Sequence, residues 1–166
     1  MTAKTFETYW RRCLAESDIK FHLPRLFAAA EGIVLELGVR NGNSTAALLA
    51  GIEQRSGHLY SVDINDCSAV IDSEFWTFIQ ADSLDYETIS QHIQGPINVL
   101  FIDTDHTYER TKAELKLWGN VTKGHIFLHD TDSFGGVREA MIEYCLVNKK
   151  MFWLIPGSNG LGIIKC

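Results

Sequence analysis

The sequence predicts an α/β domain built on one mainly parallel, seven-stranded sheet with helices on both faces. Three observations lead there. From residue 33 onward, short apolar runs alternate with amphipathic stretches, the rhythm of strand–helix–strand units. The run "INVLFID" is continuously apolar, as a strand buried on both faces must be. The chain closes on "MFWLIP" and "LGIIKC", joined through the turn signal "GSNG". That breaks the alternation and requires one antiparallel strand near the C-terminus, expected at the end of the sheet.

Residues 1–32 read as a helical extension. Phe6, Tyr9, Trp10, Cys13 and Leu14 recur at helical spacing, so they are expected to form one face against the sheet. "LPRLFAAAEG" is a second helical piece ending at Gly32. "IVLEL" is the first strand, and "NSTAALLAGIEQRSG" a helix that starts at Asn43 or Ser44 and stops at Gly57. "HLYSVDI" and "FWTFIQAD" are the second and third strands, followed by the helix "LDYETISQHIQG". The fourth strand leads into "TYERTKAELKLWGN", a helix with Tyr108, Thr111, Leu115 and Trp118 on one side. "GHIFLHD" is the fifth strand. The helix after it, "GGVREAMIEYCLVNK", turns Val137, Ala140, Met141, Tyr144 and Cys145 inward. With no linker or repeat between them, residues 1–166 form a single domain whose core spans 33–166.

Composition narrows the function. The 166 residues are 46% hydrophobic and 22% charged, with three prolines, as in a globular domain. No apolar run is long enough for a membrane span. "MTAKTFETYWRRC" lacks the apolar centre of a secretion signal, so a cytoplasmic location is expected. Cys13, Cys67, Cys145 and Cys166 are too scattered for a zinc site or a disulfide framework. The net charge is −6, from 15 basic and 21 acidic residues, and without a basic stripe nothing points to nucleic acid.

In an open parallel sheet, ligands bind beyond the carboxyl ends of the strands. There the sequence places Glu36 with "GVRNGNS", then Asp63, Asp82-Ser83, Asp103 to His106, and His129-Asp130-Thr131-Asp132. One such acid is ordinarily a turn or helix cap; five in succession indicate a site. Gly38 and Gly42 are spaced GxxxG, so the dinucleotide fingerprint GxGxxG is not matched. A Gly-rich turn carrying its own carboxylate suits a ligand with a zwitterionic end rather than a diphosphate. Asp63 is placed to take both hydroxyls of a ribose, and Asp82 and Ser83 to meet an adenine edge. Together they imply S-adenosylmethionine.

In "VLELGVRNGNST", "SVDI", "QADS", "LFIDTDHTYE" and "GHIFLHDT", in that order, the chain resembles class I S-adenosylmethionine-dependent methyltransferases. It is most similar to the small-molecule O-methyltransferases of the catechol and macrolide-sugar types. The resemblance implies a Rossmann-like three-layer αβα sandwich. By position it implies that Glu36, Gly38 and Ser44 border the methionine part, that Asp63 holds the ribose, and that Asp82 and Ser83 border the adenine. Arg40, Gly42, Asn43, Ile64 and Asp103 complete the expected cofactor lining. Metal-dependent relatives carry an aspartate after strand four, another after strand five, and a basic residue three positions after the first. Here these are Asp103, Asp130 and His106. Aspartate oxygens suit Mg²⁺, and histidine, with an unperturbed pKa of ~6.5, suits a general base. Where catechol enzymes follow the second aspartate with an asparagine ligand, this chain has Thr131 and then Asp132, so the third ligand is open.

The expected function is therefore methyl transfer to a hydroxyl of a small molecule or sugar. Asp103 and Asp130 would hold a metal and His106 would take the proton. Two other readings stand beside it: a glycosyltransferase using Asp103-Thr104-Asp105, and a non-catalytic S-adenosylmethionine-binding protein. His22, His58, His92 and His125 are read as packing residues. His129, by strand alternation, is expected to point away from Asp130 and support rather than ligate. With only a short extension to cover the site, a homo-oligomer is expected.

Overall fold

The computed structural model describes residues 3–166. Its elements run α1 (Ala3–Leu14), α2 (Leu23–Ala29), β1 (Gly32–Leu37), α3 (Asn43–Arg55), β2 (Gly57–Asp63) and β3 (Trp76–Gln80). There follow α4 (Tyr86–Ser90), β4 (Ile97–Ile102), α5 (Tyr108–Glu114), a π-helical turn (Leu115–Gly119) and β5 (Thr122–His129). The chain ends with α6 (Gly135–Asn148), β6 (Met151–Ile155) and β7 (Leu161–Lys165). The seven strands form one sheet in the order β3-β2-β1-β4-β5-β7-β6. The first five are mutually parallel, and β7 is antiparallel to both of its neighbours. The single antiparallel strand is thus present, but one place in from the edge: β6 crosses to the outside and β7 returns between it and β5.

Both faces of the sheet are buried, and the strands show why they read as continuous apolar runs. In β4, Leu100 and Ile102 join one core with Leu35, Leu37, Trp118 and Met141. Val99 and Phe101 join the other with Val34, Leu26, Leu48 and Ile52. Strand side chains alternate between faces, so a doubly covered strand needs apolar residues at every position. Burying a leucine-sized side chain stabilises by roughly 1.5–3 kcal/mol.

Helical readings hold where packing supports them. Val137, Ala140, Met141, Tyr144 and Cys145 are all buried. The expected face of α1 is only partly realised: Tyr9 is buried and stacks on Phe27 at 4.8 Å, whereas Trp10 and Leu14 are exposed. Phe6, Tyr9 and Cys13 form the stripe that packs on the core, narrower than the span of the helix's apolar residues. The helix after β3 is a short piece, Tyr86–Ser90.

Candidate active site

The strand order turns around at β1 and β4, since β2 and β3 lie to one side and β5 to the other. A crevice opens at such a point, and the chain leaves both strands beside it. Gly38 has φ +93° and a Cβ there would stand 2.0 Å from the Asp103 carbonyl oxygen. Only glycine allows both that conformation and that approach of the two loops. Asp63, closing β2, accepts from the Val39 and Arg40 amides through Oδ2, at 2.9 and 3.1 Å, and from the Asn65 amide through Oδ1. Burial works against its charge, but the Asn65, Val39 and Arg40 amides outweigh it and hold the carboxyl below its usual range. Gly42 caps α3 at φ +73°, and a Cβ there would meet Val70 at 2.0 Å. Its glycine is therefore explained by packing against Val70.

Glu36 stands in the middle of the sheet's α3 face, fully buried. Strand register sets it beside Ser61 of β2, and α3 supplies Ser44 and Thr45. All three hydroxyls donate to it, at 2.6, 2.5 and 2.9 Å. Trp76 Nε1 donates to Ser61 Oγ, which fixes the direction of that link. Burial pushes the carboxyl up to about 7 against the pull of the hydroxyls. Glu36 supports the loop from beneath, without lining either cavity beside it.

Asp103, His106, His129 and Asp130 converge. His106 Nε2 is 2.8 Å from Asp130 Oδ2 and 3.4 Å from Asp103 Oδ1. His129 Nδ1 is 3.1 Å from Asp130 Oδ2 and 3.4 Å from Asp103 Oδ1. The expectation that His129 and Asp130 face opposite ways fails for a local reason. Asp130 has φ +66°, outside extended backbone, so strand alternation stops at His129 and the carboxylate swings back over it. His22, buried at the start of α2, packs edge-on against His129 and pairs through Nε2 with the Gly157 carbonyl at 2.7 Å.

His129 Nε2 donates to the Ser158 carbonyl at 2.9 Å, which leaves Nδ1 as the nitrogen facing two carboxylates. Nδ1 and Asp130 Oδ1 are both buried without a hydrogen-bond partner. One ligand atom each from Asp103, His129 and Asp130 lies within 4.8 Å of the others. A neutral imidazole lone pair aimed at carboxylates is repulsive unless a cation sits between them. This donor set fits a divalent metal ion, with imidazole nitrogen beside aspartate oxygens. Asp132 does not complete it, since it pairs with Arg138 and accepts from the Gly157 amide, whereas Thr131 Oγ1 is buried without a hydrogen-bond partner. Without a cation between them the carboxylates keep both imidazoles protonated, and a divalent ion at His129 Nδ1 would take the place of that proton. Asp103 and Asp130 raise His106 to about 9; burial lowers His129, but the same two acids outweigh it and take it to about 10.

A cavity of about 350 Å³ runs along the crevice from Gly38, Val39 and Arg40 past Asp63 and Ile64 to Ser83, Thr104, Asp105 and Arg110, with Asp103 in its wall. A second, of about 270 Å³, lies between Arg40, Asn43, Ser44 and the extension residues Glu16 to Ile19, and shares Asp103. The first is of small-molecule size. It carries a carboxylate for a diol and apolar walls from Val62, Ile64 and Ala81, so it fits an adenosine. Asp82 and Ser83 are not free: Arg110 forks Asp82 at 2.6 and 3.3 Å and donates to Ser83 Oγ at 2.9 Å. Ser83 in turn donates to the buried Glu114 at 2.5 Å. Sequence reasoning missed Arg110, Glu114 and His129. The i,i+4 spacing of Arg110 and Glu114 was visible, but it reads as an ordinary surface pair.

A family model described as "Methyltransferase domain" matches residues 35–131, the stretch that runs from the second half of β1 past the end of β5 and carries all four convergent side chains. The chain belongs to the methyltransferase domain family. Solved structures share the fold at low identity. The TDP-rhamnose 3'-O-methyltransferase of calicheamicin biosynthesis is 17% identical, with a TM-score of 0.65 over 87% of this chain and 76% of that one. A Podospora anserina methyltransferase with bound S-adenosylhomocysteine is 13% identical, with a TM-score of 0.68 over 99% and 88%. MycE of mycinamycin biosynthesis, solved with Mg, S-adenosylhomocysteine and mycinamycin VI, is 19% identical, with a TM-score of 0.64 over 89% and 49%. No curated protein matches the sequence. This is a class I methyltransferase, the type of enzyme whose methyl donor is S-adenosylmethionine. With the family shown, Asp103-Thr104-Asp105 loses the glycosyltransferase reading, and Asp105 is an exposed residue outside the convergent group. No described helix is long and apolar enough to cross a membrane.

Proposed function

We propose that this methyltransferase transfers the methyl group of S-adenosylmethionine to a hydroxyl of a small molecule or sugar, with a divalent cation and His106 assisting. The observation that carries the reading is the convergence of Asp103, His129 and Asp130 beside His106, with two buried polar atoms left unpaired among them.

Asp103, His129 and Asp130 would hold the cation. Bound there, it would supply Lewis acidity that lowers the pKa of an acceptor hydroxyl. The Ser158 carbonyl keeps His129 Nδ1 turned inward, the kind of outer contact that fixes a ligand's tautomer. His106 stands at the edge of the group, its ring stacked on Phe134 at 4.4 Å; Asp103 and Asp130 keep its Nε2 protonated while they face it, and with their charge engaged by a cation Nε2 would be free to receive a hydroxyl proton. Asp63 would hold the ribose, and Arg40, Asn43 and Ser44 would face the methionine end. The solved sugar and macrolide methyltransferases support the acceptor class, and the complex with Mg supports the cation.

Calorimetry tests the cation first, with Mg²⁺ and Mn²⁺ because an imidazole ligand widens the choice. His129→Ala and Asp103→Asn should each weaken binding roughly tenfold or more; unchanged affinity in both would remove the cation from this site. His106→Ala should lower turnover by about 10²–10⁴ while S-adenosylhomocysteine affinity stays the same. Binding of sugar nucleotides but not of S-adenosylhomocysteine would sink the reading.

A further inference from the structure

We infer that Arg110, on α5, is the residue that contacts the nucleobase end of the cofactor and makes the base contribute to affinity. The inference rests on the cofactor reading above and concerns a residue that the sequence motifs leave unassigned.

Ser83 borders the cavity, but its hydroxyl is committed: it accepts from Arg110 Nη2 and donates to Glu114. Beside it in the cavity wall stands Arg110. Four of its five N–H groups are spent along its edge. Nη1 and Nη2 fork Asp82, Nη2 also reaches Ser83, and Nε reaches Glu114 at 3.3 Å. Glu114 is itself fixed, accepting from Thr104 at 2.7 and 2.9 Å. The loops after β3 and β4 and the helix α5 thus lock the guanidinium in place. A clamped guanidinium keeps its flat faces and one N–H for a ligand. Such a surface stacks on aromatic rings, and it loses little side-chain entropy on doing so because it is already held. Ile64, exposed at the same cavity, adds an apolar contact for the ring.

The test compares S-adenosylhomocysteine with S-ribosylhomocysteine, the same ligand without its base, by calorimetry on the full chain. The ratio of the two affinities isolates the base. In Arg110→Ala the ratio should fall roughly tenfold while S-ribosylhomocysteine binds as before. Asp82→Asn, which loosens the fork without uncovering a buried charge, should lower the ratio in part. Arg110→Lys keeps the charge but not the fork and should behave like alanine, which covers the case where alanine leaves Glu114 too poorly compensated to fold. A wild-type ratio near one, or equal weakening of both ligands in the variants, overturns the assignment of Arg110. Failure of the wild type to bind S-adenosylhomocysteine at all sinks the cofactor reading itself.

Discussion

Glu36 gives the fold a pH signal from a single buried carboxyl. Its pKa is raised from 4.5 to about 7 by burial, partly offset by Ser44, Ser61 and Thr45. Between those values the folded state keeps a proton that the unfolded chain has lost, so stability falls as pH rises. The contribution is fully present below about pH 4.5 and is lost through pH 7, a change of about 3 kcal/mol. Urea unfolding of wild type and Glu36→Gln across that range should show the wild type losing stability relative to the variant. Parallel curves would mean that Glu36 is already ionised at low pH. His129 and Asp130 teach a different lesson at the same scale. One left-handed residue, Asp130, places side by side two groups that period two sets apart, and period two is all that a strand pattern reveals.

At the scale of elements, the junction of β1 and β4 decides whether the site exists. Asp103 donates its amide to Leu37 and Gly38 donates to Val62 of β2, so the end of β1 is tied to β4 on one side and to β2 on the other. Gly38→Ala would place a methyl group against the Asp103 carbonyl in a conformation that alanine disfavours. It should destabilise the fold by about 2 kcal/mol or more, measured by urea unfolding. A cost below about 0.5 kcal/mol would show that the loops shift freely. The strands and the longer helices were legible because a doubly covered sheet demands apolar runs. The exposure of Trp10 and Leu14, the shortness of α4 and the π-helical turn after α5 were not, because each depends on where a neighbouring element ends rather than on local period.

For the whole molecule, the cavities lie where loops from both halves of the sheet meet, so a ligand there couples to global stability. S-adenosylhomocysteine at about 100 times its dissociation constant should stabilise by roughly 2.7 kcal/mol, raising the melting temperature by about 5–10 °C for a chain of this size. No shift at saturation would count against the cavity as the cofactor site. By itself, the sequence determined the alternating elements, the parallel sheet with one reversed strand, and the gathering of acids at strand ends, because periodicity and chain order follow from local chemistry. It singled out Asp103 and Asp130 by their place at strand ends, and His106 through the family resemblance. Only the tertiary structure decided that His129 joins them, that Glu36 lies beneath the site, that Val70 rather than a ligand fills the space over Gly42, and that Arg110 joins Ser83 at the cavity wall and occupies its hydroxyl. Those outcomes rest on one residue's left-handed backbone and on contacts between segments tens of residues apart, neither of which a linear pattern encodes.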